Sequence, residues 1–144
     1  MGLILRLLVA AGLAADAIVH WRFAPEMAFV QGGSIDGELL FRIQAAVAGV
    51  VAVVILTYAT RWAYALAFLV AGSAVGAILF YYYVDVGALG PLPDMHEPVW
   101  YTEKTISLVG EGIATLAALA GFLVASRPKR EDEAARTPEP ATRP

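Results

Sequence analysis

An all-α fold, a membrane-spanning antiparallel bundle of four helices, is what this 144-residue sequence predicts. Three observations carry the prediction. Apolar stretches recur at about 3–20, 38–58, 62–84 and 102–125, each close to the roughly 20 residues a helix needs to cross a hydrocarbon core about 30 Å thick. Hydrophobic residues make up 59% of the chain and charged residues only 16%, the inverse of a soluble balance. Lysine and arginine near the predicted helix ends also sort to one side.

That sorting sets the orientation. Four crossings put both termini on one side, which collects Arg6, Arg61, Arg127, Lys129, Arg130, Arg136 and Arg143. The other side has Arg22, Arg42 and Lys104 among Glu26, Asp36, Glu38, Asp85, Asp94, Glu97 and Glu103. The expectation is a bacterial cytoplasmic-membrane protein with cytoplasmic termini, a short cytoplasmic turn and two outer loops. Reporter fusions after Thr60 and Ser126 should register cytoplasm, and a fusion after Gly90 the outside; any other pattern overturns this orientation.

Helix 1 opens like a secretory signal, with Arg6 before an apolar run that ends in Ala14, Ala15, Asp16 and Ala17. The acid at Asp16 interrupts the run, and removal of the segment would leave three crossings and an external basic tail, so it reads as a span. It ends near His20, with Trp21 and Phe23 as interfacial anchors. The first outer loop, rich in Gly and Pro, reads as irregular, and Asp36 suits the N-cap of helix 2. The 57–61 connection is a tight turn that makes helices 2 and 3 neighbours. In helix 3, Gly72 and Gly76 form a small-xxx-small pair that admits another helix of the bundle or a second copy of the chain. Tyr81, Tyr82, Tyr83, Trp100 and Tyr101 read as the outer aromatic belt, and Tyr58, Trp62 and Tyr64 as the inner one. The second outer loop, 85–97, is dense in turn formers, which predict an ordered loop folded over the bundle mouth with Met95 or His96 touching helix 1 or the first loop. Pro98 suits the first position of helix 4. Residues 1–126 thus form one domain, and 127–144 read as a disordered cytoplasmic tail.

Two acids lie well inside spans, Asp16 and Glu111, where an unpaired charge costs at least a few kcal/mol. Asp16 and His20 stand four residues apart on one face of helix 1. Lys104, Ser107, Glu111 and Thr115 form a stripe on helix 4, and Glu38 and Arg42 a pair on helix 2, with Gln44 pointing roughly the opposite way. Asp16, His20, Glu38, Arg42, Lys104, Ser107 and Glu111 are therefore the candidate binding residues, all in the outer half. The competing reading makes them interhelical glue, each bond worth about 1 kcal/mol.

Copper or zinc at His20, Met95, His96 and Glu97 is the one cofactor the residue types admit, although no metal-motif spacing is present. With no cysteine, disulfides and thiolate chemistry are excluded. Neither histidine lies deep in a span opposite another, which argues against haem. No hydrolase triad, phosphate loop or nucleic-acid surface is present, so no catalytic residue is assigned.

Gly37-Glu38-Leu39-Leu40-Phe41-Arg42-Ile43-Gln44-Ala45 and the stretch from Tyr83 to Tyr101, followed by Glu103-Lys104, resemble a group of small four-helix integral membrane proteins of actinobacteria. The resemblance covers the bundle without the tail and implies fold and location but no activity. In that group the His96 position is commonly tyrosine, which favours a structural role for the loop. Likeness to DoxX-like proteins is confined to size and topology. The functional expectation is an accessory subunit or small-ligand-binding bundle whose working part is the outer polar group. The alternative is a transporter or quinone-linked redox component that moves a proton or metal ion through it. The expected partners are the lipid bilayer and a membrane protein or second copy through Gly72 and Gly76, not nucleic acid. A polar group fully closed by internal bonds would favour the accessory subunit or ligand-binding bundle, and a cavity open to the outer leaflet or the outer face the alternative.

Overall fold

The computed structural model describes Gly2–Ala125; the expected tail at 127–144 lies outside the described residues. Four α-helices make the fold: α1 Gly2–Phe23, α2 Gly37–Thr57, α3 Arg61–Tyr83 and α4 Thr102–Ala125, with a short 3-10 helix, Ala24–Phe29, following α1. All four are long and apolar enough to cross a membrane by length and composition. Among the described residues no strand forms beyond an isolated Leu89–Leu92 bridge.

Small side chains decide which helices meet. Gly12 of α1 lies directly against the Gly110 carbonyl and Ala114 of α4. Gly72 of α3 faces Thr115 of α4, and Gly121 of α4 receives the ring of Tyr64. α1 accordingly packs on α2 and α4, and α4 on α3. α2 and α3 touch much less, although only residues 58–60 separate them. The tight turn brings their ends together, but a cavity holds their far halves apart. The core is alanine-rich: Ala48, Ala63, Ala67, Ala71, Ala114 and Ala118 are fully buried with Val9, Leu13 and Ile55. Alanine lets helix backbones approach closely, and dispersion and close fit then hold the assembly. Arg6 donates to the Ile55 and Leu56 carbonyls, tying the start of α1 to the end of α2.

Several local expectations change. α1 continues past His20 to Phe23, and the loop after it begins as a 3-10 helix with Pro25 in its first turn, where a missing N–H costs nothing. α4 begins at Thr102 rather than Pro98. The Glu97 amide donates to the Tyr81 carbonyl at 3.2 Å, and Lys104 Nζ donates to the Glu97 and Val99 carbonyls at 2.9 Å each, which holds 97–101 off the helical path. Tyr64 is 2% exposed, with its hydroxyl directed to the Gly2 carbonyl, so it belongs to the core rather than to the inner belt. Space beside Gly76 is open.

Asp36 caps α2 as expected: its carboxylate accepts from the Leu39 amide at 2.8 Å. Asp36→Ala should cost about 1 kcal/mol, read as a lower melting temperature in detergent. The two long loops are joined by backbone bonds, Ile35 N to Pro91 O at 3.2 Å and Asp94 N to Gln31 O at 3.0 Å. Leu89 and Leu92 exchange both backbone bonds across a turn that requires the left-handed conformation of Gly90 (φ 61°). The second loop thus meets the first through Pro91 and Asp94. His96 instead turns its ring nitrogen to the Tyr81 carbonyl at 2.9 Å.

Candidate functional site

Asp16 and Glu111 are both fully buried, on facing sides of α1 and α4. The contact of Gly12 with Gly110 and Ala114 brings the two helices close enough for the carboxyl groups of Asp16, one turn on from Gly12, and of Glu111, beside Gly110, to converge. His20 Nδ1 stands 2.5 Å from Asp16 Oδ1 and 3.1 Å from the Asp16 carbonyl. Gln44 of α2 donates from Nε2 to Asp16 Oδ2 at 2.9 Å. Three helices therefore supply the group, each with one layer of polar side chains.

Glu111 is the least satisfied member. Neither of its carboxyl oxygens has a hydrogen-bond partner among the described residues. The polar group beside it is the Asp16 carboxyl, which is itself an acceptor. A buried polar group without a partner loses its hydration and gains nothing in return. Two such carboxyls can be reconciled only by a proton shared between them or by a cation that both can bind.

Toward the end of the bundle that carries the two long loops lies a cavity of about 310 Å³, bounded by all four helices and the second loop. His20, Gln44 and Ser107 give it a polar lining near the two acids; Phe23, Phe41, Ile78 and Tyr82 are among its apolar walls. Glu97, Tyr101, Glu103 and Lys104 also line it. Burial raises the pKa of the Tyr101 phenol, and the Glu97, Glu103 and Glu26 carboxylates raise it further, so the hydroxyl stays a neutral donor. Lys104 Nζ sits 4.9 Å from the Tyr101 ring centre and 5.7 Å from that of Tyr82. On the other side of the acids the interior is closed and apolar, with Val9, Leu13, Ala114 and Ala118 fully buried.

Of the sequence-derived candidates, the structure brings together Asp16, His20 and Glu111, with Ser107 one turn outward from Glu111 and 4% exposed. Glu38 and Arg42 do not join them. They pair with each other at 2.6 Å on the surface of α2, and the Arg42 guanidinium stacks 5.0 Å from the Trp21 ring. Lys104 is spent on backbone carbonyls near the cavity mouth. Met95 and Glu97 share the cavity lining with His20, whereas His96 is held at the end of α3. The His, Asp and Glu donors that converge among the described residues are Asp16, His20 and Glu111, a different set from His20, Met95, His96 and Glu97.

Gln44, which the helical period sets roughly opposite Glu38 and Arg42, is the α2 residue that reaches Asp16. Its signal was present: an amide within the apolar run of α2 needs a partner in lipid as much as a charge does. Compared with known proteins, the chain matches no family model, no curated protein and no solved structure.

Proposed function

We propose that this is a small multi-pass protein of the bacterial cytoplasmic membrane, an antiparallel four-helix bundle with cytoplasmic termini, that binds a small amphipathic molecule in its outer cavity. It would belong with the actinobacterial proteins that its two sequence stretches resemble. Arg6 meets Ile55 and Leu56, Asp16 meets Gln44, and His20 meets Phe41, so positions rise along α1 as they fall along α2, which supports antiparallel packing. Exposed Leu3, Leu69, Leu116 and Leu123 suit contact with lipid chains.

The observation that carries the ligand reading is the cavity itself. Its volume of about 310 Å³ falls at the lower end of small-molecule sites, and its aromatic and aliphatic walls surround a few polar groups. A flat, weakly polar molecule of the quinone type fits that pattern. Its rings would lie against Phe41 and Tyr82, and its oxygens would meet His20, Gln44 or Ser107. The apolar interior beyond Asp16 and Glu111 favours binding over passage through the bundle, because a conducting route would need polar groups below that level.

Ala74 lines the cavity and is 9% exposed. Ala74→Phe should fill the space and weaken binding of a short-chain naphthoquinone about tenfold or more, measured by tryptophan quenching in nanodiscs. Unchanged affinity in a folded variant would remove the cavity from the mechanism.

A further inference from the structure

We propose that Asp16, His20 and Glu111 form a site for one divalent transition-metal ion, with zinc as the representative, at the inner end of the cavity.

The donor set comes first. Each residue offers one ligand atom, and these atoms all lie within 4.8 Å of one another. Tetrahedral zinc ligands at bond lengths near 2.1 Å stand about 3.4 Å apart, so closure requires displacements of about 1 Å or less. One imidazole and two carboxylates are a zinc ligand set, and three protein ligands leave a fourth position for water or a ligand atom. His20 belongs both to the donor set and to the cavity wall, which gives an ion a route in from outside.

Orphaned oxygens are the second observation and are independent of the spacing. Asp16 and Glu111 are 0% exposed, and both Glu111 oxygens have no hydrogen-bond partner among the described residues, while Asp16 Oδ1 has the His20 ring nitrogen beside it. Structural glue would bring a donor to the Glu111 oxygens. What approaches them instead is a second acid, an arrangement that repels when both groups are carboxylates and becomes complementary around a cation that His20 can also bind. A divalent ion with two carboxylates and a neutral imidazole carries no net charge, which is the balance a hydrocarbon span demands. Gln44 completes the case. Its amide holds Asp16 Oδ2 and fixes Oδ1 beside the His20 ring, where an ion inserted between the two would bind both, as outer partners of metal-binding carboxylates do.

The site is separate from the small-molecule reading, and the two can fail separately. The full chain in nanodiscs is stripped with chelator, equilibrated with micromolar zinc chloride, freed of unbound metal and assayed for zinc. The expected result is about one zinc per chain, with an absorption-edge spectrum of nitrogen and oxygen ligands including one imidazole. Glu111→Gln and Asp16→Asn should reduce zinc to background, while His96→Ala retains it. Ala74→Phe should weaken quinone binding and still hold zinc at equilibrium. Circular dichroism establishes that each variant is folded. Should Asp16→Asn fail to fold, Glu111→Gln decides alone, because its near-identical shape preserves the packing. Wild-type protein without zinc, or Glu111→Gln with the full wild-type amount, overturns the site; an infrared band from a protonated carboxyl that persists at saturating zinc identifies a shared proton in its place.

Discussion

Gly12→Val should weaken the assembly by about 3 kcal/mol, the upper part of the range for overpacking a close contact, and should abolish ligand binding as well. The Cβ of any residue at this position would run into the Gly110 carbonyl and would stand 2.8 Å from Ala114 Cβ. A backbone oxygen cannot rotate aside as a side chain can, so α1 and α4 must separate. Asp16 is one turn on from Gly12, and Glu111 lies between Gly110 and Ala114, so the same separation pulls their carboxyl groups apart. Stability and site therefore fail together. Gly76→Val is the matched control: nothing lies within 4 Å of its added Cβ, so the melting temperature should not move. Melting curves in one detergent compare the two. A Gly12→Val protein as stable as wild type would mean that the α1–α4 contact does not hold the bundle. A stable Gly76→Val protein that migrates as a smaller species would reveal a second copy docked there.

What was legible in the sequence was whatever a single helix determines. The four apolar lengths, the cap at Asp36 and the shared face of Asp16 and His20 follow from local chemistry and from a period of 3.6 residues. The burial of Asp16 and Glu111 was also readable, since neither acid tolerates lipid. Which polar residues meet across helices was not. Arg42 is grouped with Asp16 among the candidates, but rotation of α2 gives the contact with Asp16 to Gln44 and leaves Arg42 stacked on Trp21. Helical periodicity orders faces within an element, whereas the choice of facing element depends on where glycine and alanine allow close approach. Tyr64 is the same lesson in reverse. Its belt-like position near a helix end was overridden by the notch at Gly121, visible only once α3 and α4 are side by side.

Glu111→Gln should raise the melting temperature of metal-free protein in detergent, the opposite of what substitution at a buried polar core position usually does. The carboxyl it replaces has two oxygens without partners, next to the equally buried acid Asp16, so without metal the wild-type pair must hold a proton between two acceptors or repel. Glutamine keeps the shape, removes the possibility of charge, and presents an N–H donor to the Asp16 carboxylate. Supplying one partner to a buried acceptor is worth about 1–3 kcal/mol, which for a chain of this size corresponds to a few degrees or more. Glu111→Ala should move the other way, because it removes the side chain without supplying a donor and leaves a void beside Ser107 and Asp16. Zinc reverses the order: saturating metal should stabilise the wild type through its binding free energy and leave the glutamine variant unchanged. This reversal is the mark of a site kept for a ligand at a cost in stability. Glutamine and alanine variants that fall equally in metal-free buffer would instead make the Glu111 carboxyl a structural bond, and the interhelical-glue reading would then stand.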